Sequence, residues 1–332
     1  MLKFIRDPER IKRWMNLRVM LIKNLIPLDY PLIINVEPTN ACNLKCVMCP
    51  RRFSNRKIGY MEMETFEKII NDIKEFGIVF RLFLQKDGEP LLHPELESMI
   101  RMAKAKRVAK MVSVITNGVL LSPKRARELI RSGIDDISIS LDAAKETTYR
   151  QLKSSGSLEE VEENVRGLLN LRKELGRSKP IIRVRMVDLR ENCGEREAFF
   201  KKWESVADFV EVIPFHTWKG AIEDLSPDGI PACERYPCSL LWYTAVINWD
   251  GSLSPCCIDY DGAGIFGSIN DRTLYQHWNG HNMEGLRHAH IAGCLEEVPF
   301  CRNCEYWRIK EDIGGWLKKK YASRINKGFN SP

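Results

Sequence analysis

The sequence of 332 residues has no run of eighteen or more apolar residues, which excludes a protein that spans a membrane by helices. Its start, MLKFIRDPERIKRWMN, lacks the apolar core and small-residue cleavage site of a secretory signal, so a cytoplasmic location is expected. Low-complexity tracts and short-period repeats are missing too. With 44% hydrophobic and 29% charged residues the chain has the composition of an ordered globular protein. A strongly basic body is also absent: the net charge of +7 comes from the ends, where residues 1–30 hold seven Lys/Arg against three Asp/Glu and residues 302–332 hold eight against three. The stretch between them is slightly acidic, which argues against a nucleic-acid partner. Cysteine, by contrast, is plentiful at eleven, an odd number. In a reducing compartment such a set points to metal binding or catalysis rather than to disulfides.

Short β-like runs alternate with helical periodicities. The runs are LIINVEP (32–38), VFRLFLQ (79–85), MVSVIT (111–116), DISISLD (136–142), IIRVRMV (181–187) and FVEVIPF (209–215). Between them lie stretches such as METFEKIINDIKEF, PELESMIRMAKAK, SPKRARELIRSG, SLEEVEENVRGLLNLRKEL and EREAFFKKWESV, several opened by Ser or Pro as helices are. Six β/α units in series predict a parallel sheet with right-handed crossovers, either doubly wound or curled toward a barrel. Along the strands Ser138, Ser140 and Asp142 share one face, Arg183 and Arg185 share another, and Asn35 pairs with Glu37. A polar inner face of this kind suits a barrel that holds a polar ligand. After Phe215 the pattern changes. Residues 216–304 carry seven of the eleven cysteines and one good helical stretch, NDRTLYQHWNGHNMEGLRHAH, which reads as a small, irregular, metal-organised module.

Directly after the first run comes Cys42-x3-Cys46-x2-Cys49, placed where parallel sheets bind ligands, at the C-terminal end of a strand. Three thiolates on a cubane of four irons leave one iron open. Zinc sites more often pair cysteines as C-x2-C with a second pair elsewhere, and this spacing fits them poorly.

Over residues 31–216 the sequence resembles the radical S-adenosylmethionine (SAM) superfamily, whose signature is this loop after the first strand of a partial (β/α)6 barrel. The resemblance implies an α/β fold of that TIM-like kind, with a [4Fe-4S] cluster on Cys42, Cys46 and Cys49. It further implies that SAM chelates the open iron and is cleaved to a 5′-deoxyadenosyl radical that takes hydrogen from a substrate. An external one-electron reductant such as flavodoxin or ferredoxin would feed that cluster. Gly88-Glu89-Pro90 resembles the GGEP motif that binds the SAM amino group, with Asp87 in place of the first glycine. Asn117, in Thr116-Asn117-Gly118, resembles the family's TNG turn. Ser140 and Asp142 stand where the family contacts the SAM ribose or carboxylate, and Arg185, with Arg183 as the alternative, is the candidate partner for that carboxylate. Met48 stands where the family often has an aromatic residue beside the adenine.

A second set, Cys238-x12-Gly251-x4-Cys256 followed by Cys301-x2-Cys304, includes the run VINWDG, which reads as a hairpin that brings Cys238 and Cys256 together. Alone, two separated pairs suit a zinc ribbon. In this chain they resemble the SPASM and twitch modules of radical SAM enzymes, which hold auxiliary iron-sulfur clusters. Lys310 stands where a full SPASM domain continues with cysteine, and no cysteine follows Cys304. The resemblance therefore implies one auxiliary [4Fe-4S] cluster on Cys238, Cys256, Cys301 and Cys304, with Cys257 as the alternative to Cys256. The expected organisation is a basic helical extension at 1–30, a barrel at 31–216, the cluster module at 217–308 and a basic tail at 309–332.

This layout resembles radical SAM dehydrogenases that oxidise a secondary alcohol to a ketone and pass an electron to the auxiliary cluster. A small alcohol, sugar or cyclitol-like substrate is expected. A peptide maturase is the alternative, and a non-enzymatic zinc module a remote one. His216, at the end of the sixth unit, is a candidate base or substrate contact, and Cys193 a candidate hydrogen donor with an inert packed thiol as its plainer reading. Cys233, Cys257 and Cys294 have no assigned task. The N-terminal stretch LKFIRDPERIKRWMNLRVMLIKNLI has helical spacing, and such helices mostly pack on their own protein, with a membrane surface or a partner as the alternative.

Overall fold

In the computed structural model, which describes Ile26, residues 28–230 and residues 234–325, six parallel strands form the scaffold. They are β1 (Ile33–Val36), β2 (Val79–Leu84), β3 (Ala109–Thr116), β4 (Asp136–Ser140), β5 (Ile181–Asp188) and β6 (Phe209–Pro214), lying in sequential order. Sequential order with a helix in the crossovers is the topology of a partial barrel. The N-terminal extension predicted at 1–30 falls almost wholly outside the described residues, as does Cys233.

Helices form where the apolar spacing predicts them. Met63–Phe76 buries Phe66, Ile69, Ile70 and Ile73 on one stripe and stops at Gly77. Pro123–Ser132 starts at Ser122, whose hydroxyl accepts from the Arg125 amide, and stops at Gly133 in the left-handed region (φ 83°). Leu158–Glu174 is capped by Ser157 in the same way. One helix, Glu146–Leu152, has no counterpart among the predicted stretches. Its first turn is tethered from outside by Glu195, whose carboxylate accepts from the amides of Ala144 (2.7 Å) and Lys145 (3.1 Å) and from the Thr148 hydroxyl (2.5 Å).

The strands alternate as expected. Ile34, Val36, Leu82, Leu84, Val112, Val114, Ile137, Ile139, Ile182 and Val184 are fully buried under the helices. On the opposite face the buried Ser138 lies beside Arg183, Ser140 beside Arg185, and Arg185 beside Glu211, and all of these but Ser138 are only partly covered. The sheet thus keeps a charged, accessible concave face.

The C-terminal module extends this sheet. β7 (Thr244–Ile247) pairs in parallel with β1, and β8 (Ser252–Ser254) returns antiparallel through the Asn248–Gly251 turn, the hairpin read from VINWDG. β9 (Gly267–Ser268) ends the sheet. The predicted helical stretch divides at Asn279-Gly280 into Leu274–Trp278 and His281–Ala292. Module and barrel share one core: the Leu274 amide donates to the buried Asp72 carboxylate (3.0 Å) and the Trp278 indole to the Leu28 carbonyl (3.0 Å). Within the basic C-terminal segment, Glu311–Ile325 is a helix that places Ile313, Leu317 and Tyr321 in that core. Among the described residues no helix is long and apolar enough to cross a membrane.

Asp135 locks β3 to β4 at the end of the sheet remote from the cysteines. Its carboxylate accepts from the Val112 amide (2.9 Å), Lys104 (2.6 Å) and Lys179 (2.5 Å). Burial would raise this carboxyl, but the two ammonium groups and the amide outweigh it and hold it below the usual range. Its contribution is then complete above the ordinary carboxylate pKa and fades only as acid protonates the folded form. Asp135→Asn is expected to cost about 1–3 kcal/mol. Urea unfolding at pH 7 and pH 5 should show the same deficit; a deficit that shrinks between them would contradict this assignment.

Candidate functional site

The three-cysteine loop is held by turns from the C-terminal ends of several strands. Arg51 closes the loop on itself, donating to the carbonyls of Cys42 (3.5 Å) and Leu44 (3.2 Å). After the helix Glu146–Leu152, the Leu152 carbonyl accepts from the Val47 amide (3.0 Å) and the Ser154 hydroxyl from the Lys45 amide (2.6 Å). Beyond β6, Trp218 donates its indole N–H to the Met48 carbonyl (3.0 Å). The Met48 side chain is buried with Leu152, Leu189 and Phe215 in an apolar cluster of its own.

All three thiols are pushed up, chiefly by burial, with Cys42 and Cys49 raised further by neighbouring thiols and Cys49 pushed up to about 12. Burying three mutually repelling sulfurs is unfavourable unless a positively charged group takes up their thiolate charge, so this donor set fits an iron-sulfur cluster. Lys153, buried beside Cys46 and paired with Asp142, adds a fixed charge: burial works against its ammonium, but Asp142 and Cys46 hold it protonated.

The turn after β2 shows why its residues are needed. A Cβ on Gly88 would lie 2.1 Å from the Thr39 carbonyl oxygen and 2.5 Å from that of Ala41, so only glycine allows this turn to lie against the cysteine loop. Glu89 is fully buried and joins three turns. Its carboxylate accepts from the Thr116 hydroxyl (2.7 Å), the Asn117 amide (2.8 Å) and the Leu91 amide (3.0 Å), while its own amide donates to the Ala41 carbonyl (2.8 Å). Pro90 begins the short helical turn that follows. Asn117 reaches back to the Asn43 side chain (2.8 Å). His93 spans the Met61 carbonyl (2.9 Å) and the Glu95 amide (3.1 Å) as a packing residue.

Other expected SAM contacts are engaged within the barrel. Asp142, in the left-handed region (φ 64°), accepts from the Val187 amide (2.7 Å) as well as from Lys153. Arg183 pairs with Asp136 (2.7 Å) and Glu211 (3.0 Å), and Arg185 donates its Nε to Glu211 (2.7 Å). Ser140 ends β4 beside Arg185 on the concave face. Cys193 lies in the turn after β5 with its thiol on the Arg190 carbonyl (3.4 Å), a local contact.

Cys238, Cys256, Cys301 and Cys304 line one cavity. Among the described residues no three His, Cys, Asp or Glu side chains converge as a single metal ion requires; the thiols surround a space instead, as a cluster demands. Burial raises all four, Cys301 to about 12 and Cys304 to about 11, and the neighbouring thiols raise Cys238, Cys256 and Cys301 further. Cys257 is not part of this wall; burial pushes its thiol up to about 11, with the Lys86 ammonium working against that rise. Cys294 is exposed.

A buried ionic chain runs between the two thiol sets. Arg56 forks onto Glu37 (2.6 and 3.1 Å) and reaches Asp87 (3.0 Å), which pairs with Lys86 (2.7 Å), which in turn donates to the Asp259 carbonyl (2.9 Å). Asp87 departs from the glycine of the resembling motif because it answers these two cations. His216 lies between Trp218 (4.3 Å between ring centres) and Tyr306 (4.9 Å). Burial lowers it to about 4 and leaves Nδ1 without a partner among the described residues. A neutral imidazole so placed is better suited to accept a hydrogen bond than to store a proton. Arg56, Lys86, Lys153 and His290 were not singled out from sequence; each answers a partner remote in the chain.

A profile of the Radical SAM superfamily matches residues 36–178, and one of the SPASM iron-sulfur cluster-binding domain matches residues 238–305. A probable GTP 3′,8-cyclase of Methanococcus maripaludis is 34% identical over 281 residues, 84% of this chain and 82% of that protein. The chain belongs to the radical SAM superfamily. A [4Fe-4S] cluster with SAM and auxiliary iron-sulfur ligation follow from its two domains, and the zinc-module reading falls away. The cofactor-modifying protein of tungsten-containing aldehyde ferredoxin oxidoreductase from Pyrococcus furiosus is 31% identical, with 47% of this chain aligned to 44% of that protein. Among solved structures, BtrN in complex with AdoMet and 2-DOIA matches with TM-score 0.57 and 18% identity, over 82% of this radical SAM chain and 92% of BtrN. Streptococcus suis SuiB bound to precursor peptide SuiA matches with TM-score 0.63 and 14% identity, over 86% of this chain and 73% of SuiB. At these identities the likeness is one of fold.

Gly88→Ala drives a Cβ into two backbone carbonyls and is expected to slow SAM cleavage on the order of 100-fold. The SAM-induced change in the spectrum of the reduced cluster should weaken with it, and an unchanged response would refute the close approach. Cys256→Ala is expected to lower reconstituted iron from about eight to about four per chain, and Cys257→Ala to leave it near eight. The reverse pattern in an iron assay would assign the ligand to Cys257.

Proposed function

We propose that this radical SAM enzyme oxidises a small alcohol, sugar or cyclitol-like substrate to the carbonyl, with the auxiliary [4Fe-4S] cluster as electron acceptor. The supporting observation is the wall of four thiols around one cavity. Four thiolates saturate a cubane, which suits it to carry an electron rather than to bind substrate. Bound SAM, cleaved by an electron from the first cluster, supplies a 5′-deoxyadenosyl radical. With these groups held by the two cysteine sets, the alcohol would lose one hydrogen atom from carbon to that radical, one electron to the auxiliary cluster and its hydroxyl proton to solvent water, and the C=O bond would form.

The chain's own groups suit a polar substrate. Ser113 and Ser138 point hydroxyls into the barrel that are buried and without a partner among the described residues. Arg183 and Arg185 line the same face, and His216, just after β6, keeps a buried Nδ1 without a partner among the described residues. The Lys153–Asp142 pair and Glu89 position the cysteine loop and keep water from it.

A second reading rests on the Methanococcus relative, whose name states a GTP cyclase: a purine nucleotide would then be the substrate. A peptide is the third, since SuiB, similar in fold, was solved with one. Reduced, reconstituted enzyme with SAM and alcohols deuterated at the carbinol carbon discriminates among them. Release of deuterated 5′-deoxyadenosine in equal amount with ketone is expected. Release that depends instead on a nucleoside triphosphate or on a peptide would replace the alcohol reading.

A further inference from the structure

His290 is buried in the wall of the auxiliary cavity, and both of its ring nitrogens are engaged. Nδ1 accepts from the backbone amide of Cys238 (3.1 Å). Nε2 lies 3.4 Å from the Cys301 sulfur. An amide N–H can approach Nδ1 only along a free lone pair, so the ring proton sits on Nε2 and points at sulfur. The ring therefore spans two of the four thiol residues, Cys238 and Cys301, which enter the cavity from different segments of the chain. It is a donor to a ligand, not a ligand itself. The ring is carried by the helix His281–Ala292, which the sequence marks only as a helical stretch.

We propose that His290 is a positioning residue that donates Nε2–H to the Cys301 thiolate and thereby raises the reduction potential of the auxiliary cluster. A hydrogen bond to a cluster sulfur withdraws charge and favours the reduced, more negative state. Such a shift is in the direction an electron acceptor needs, and to that extent the inference rests on the electron-acceptor reading above. Fixing the tautomer through Cys238 makes the donor permanent rather than dependent on thermal rotation of the ring.

The test is a redox titration of the reconstituted holoenzyme followed by electron paramagnetic resonance, with the SAM-responsive signal of the first cluster as internal reference. His290→Leu is expected to keep its iron and the potential of the first cluster while the auxiliary potential moves negative. His290→Gln, which keeps an N–H donor and an acceptor, is expected to move it back toward the parent value. An unchanged auxiliary potential in the iron-replete His290→Leu protein would overturn the proposal. Should His290→Leu lose the cluster, the parent protein decides: with 15N-labelled histidine, the reduced auxiliary cluster should show a 15N hyperfine coupling, and its absence would overturn the proposal equally. A shifted potential with no alcohol oxidised would leave the hydrogen bond standing and remove the alcohol reading instead.

Discussion

The short strand β1 is the constraint on which both sites depend. It pairs in parallel with β2 on one side and with β7 on the other, and its outward residues Ile34 and Val36 are fully buried. Its chain continues into the Cys42 loop, while β7 continues through the Asn248–Gly251 turn into the strand that leads to Cys256. A four-residue strand between two parallel neighbours has no register freedom, because a one-residue slip would turn its buried side chains into the polar interior. The two thiol sets are thereby fixed on either side of the chain Glu37–Arg56–Asp87–Lys86.

That ionic chain explains how so much charge survives inside. Arg56, Lys86, Asp87 and Glu37 are all nearly covered, and Lys153 with Asp142 is covered too. Buried ion pairs seldom add net stability over apolar packing, yet removal of one partner leaves an uncompensated charge that costs several kcal/mol, about 3–5. Their value here lies in position. Each links segments that the sheet alone would leave independent: the loop after the first cysteines, the end of β2, and the irregular module.

Much of this was legible in the sequence, because the relevant signals are local. Strand alternation and the Ser122 and Ser157 caps fixed six strands and most helices to within a few residues, and cysteine spacing separated the two sites. The helix Glu146–Leu152 was missed because its first turn is tethered by Glu195, far along the chain, rather than by a residue beside it. The same cause hid the role of Asp87, whose cation Arg56 lies 31 positions away, and His290, whose partner Cys238 lies 52 positions away. Arg185, with Arg183 as the alternative, was read as a partner for a carboxylate ligand; the fold sets Glu211 of the adjoining strand against its Nε. Spacing within a segment reports ligands well; it carries no record of which distant groups answer them.

The four thiols of the auxiliary cavity come from separate stretches at Cys238, Cys256 and Cys301–Cys304. A group bound to all of them is a cross-link as well as a redox centre: it ties off the long chain segments between ligands and so removes closure entropy from the unfolded state. Iron supply and mechanical integrity of the C-terminal third are consequently one variable, and clipping by proteases in that third becomes a measure of how fully the protein has been loaded.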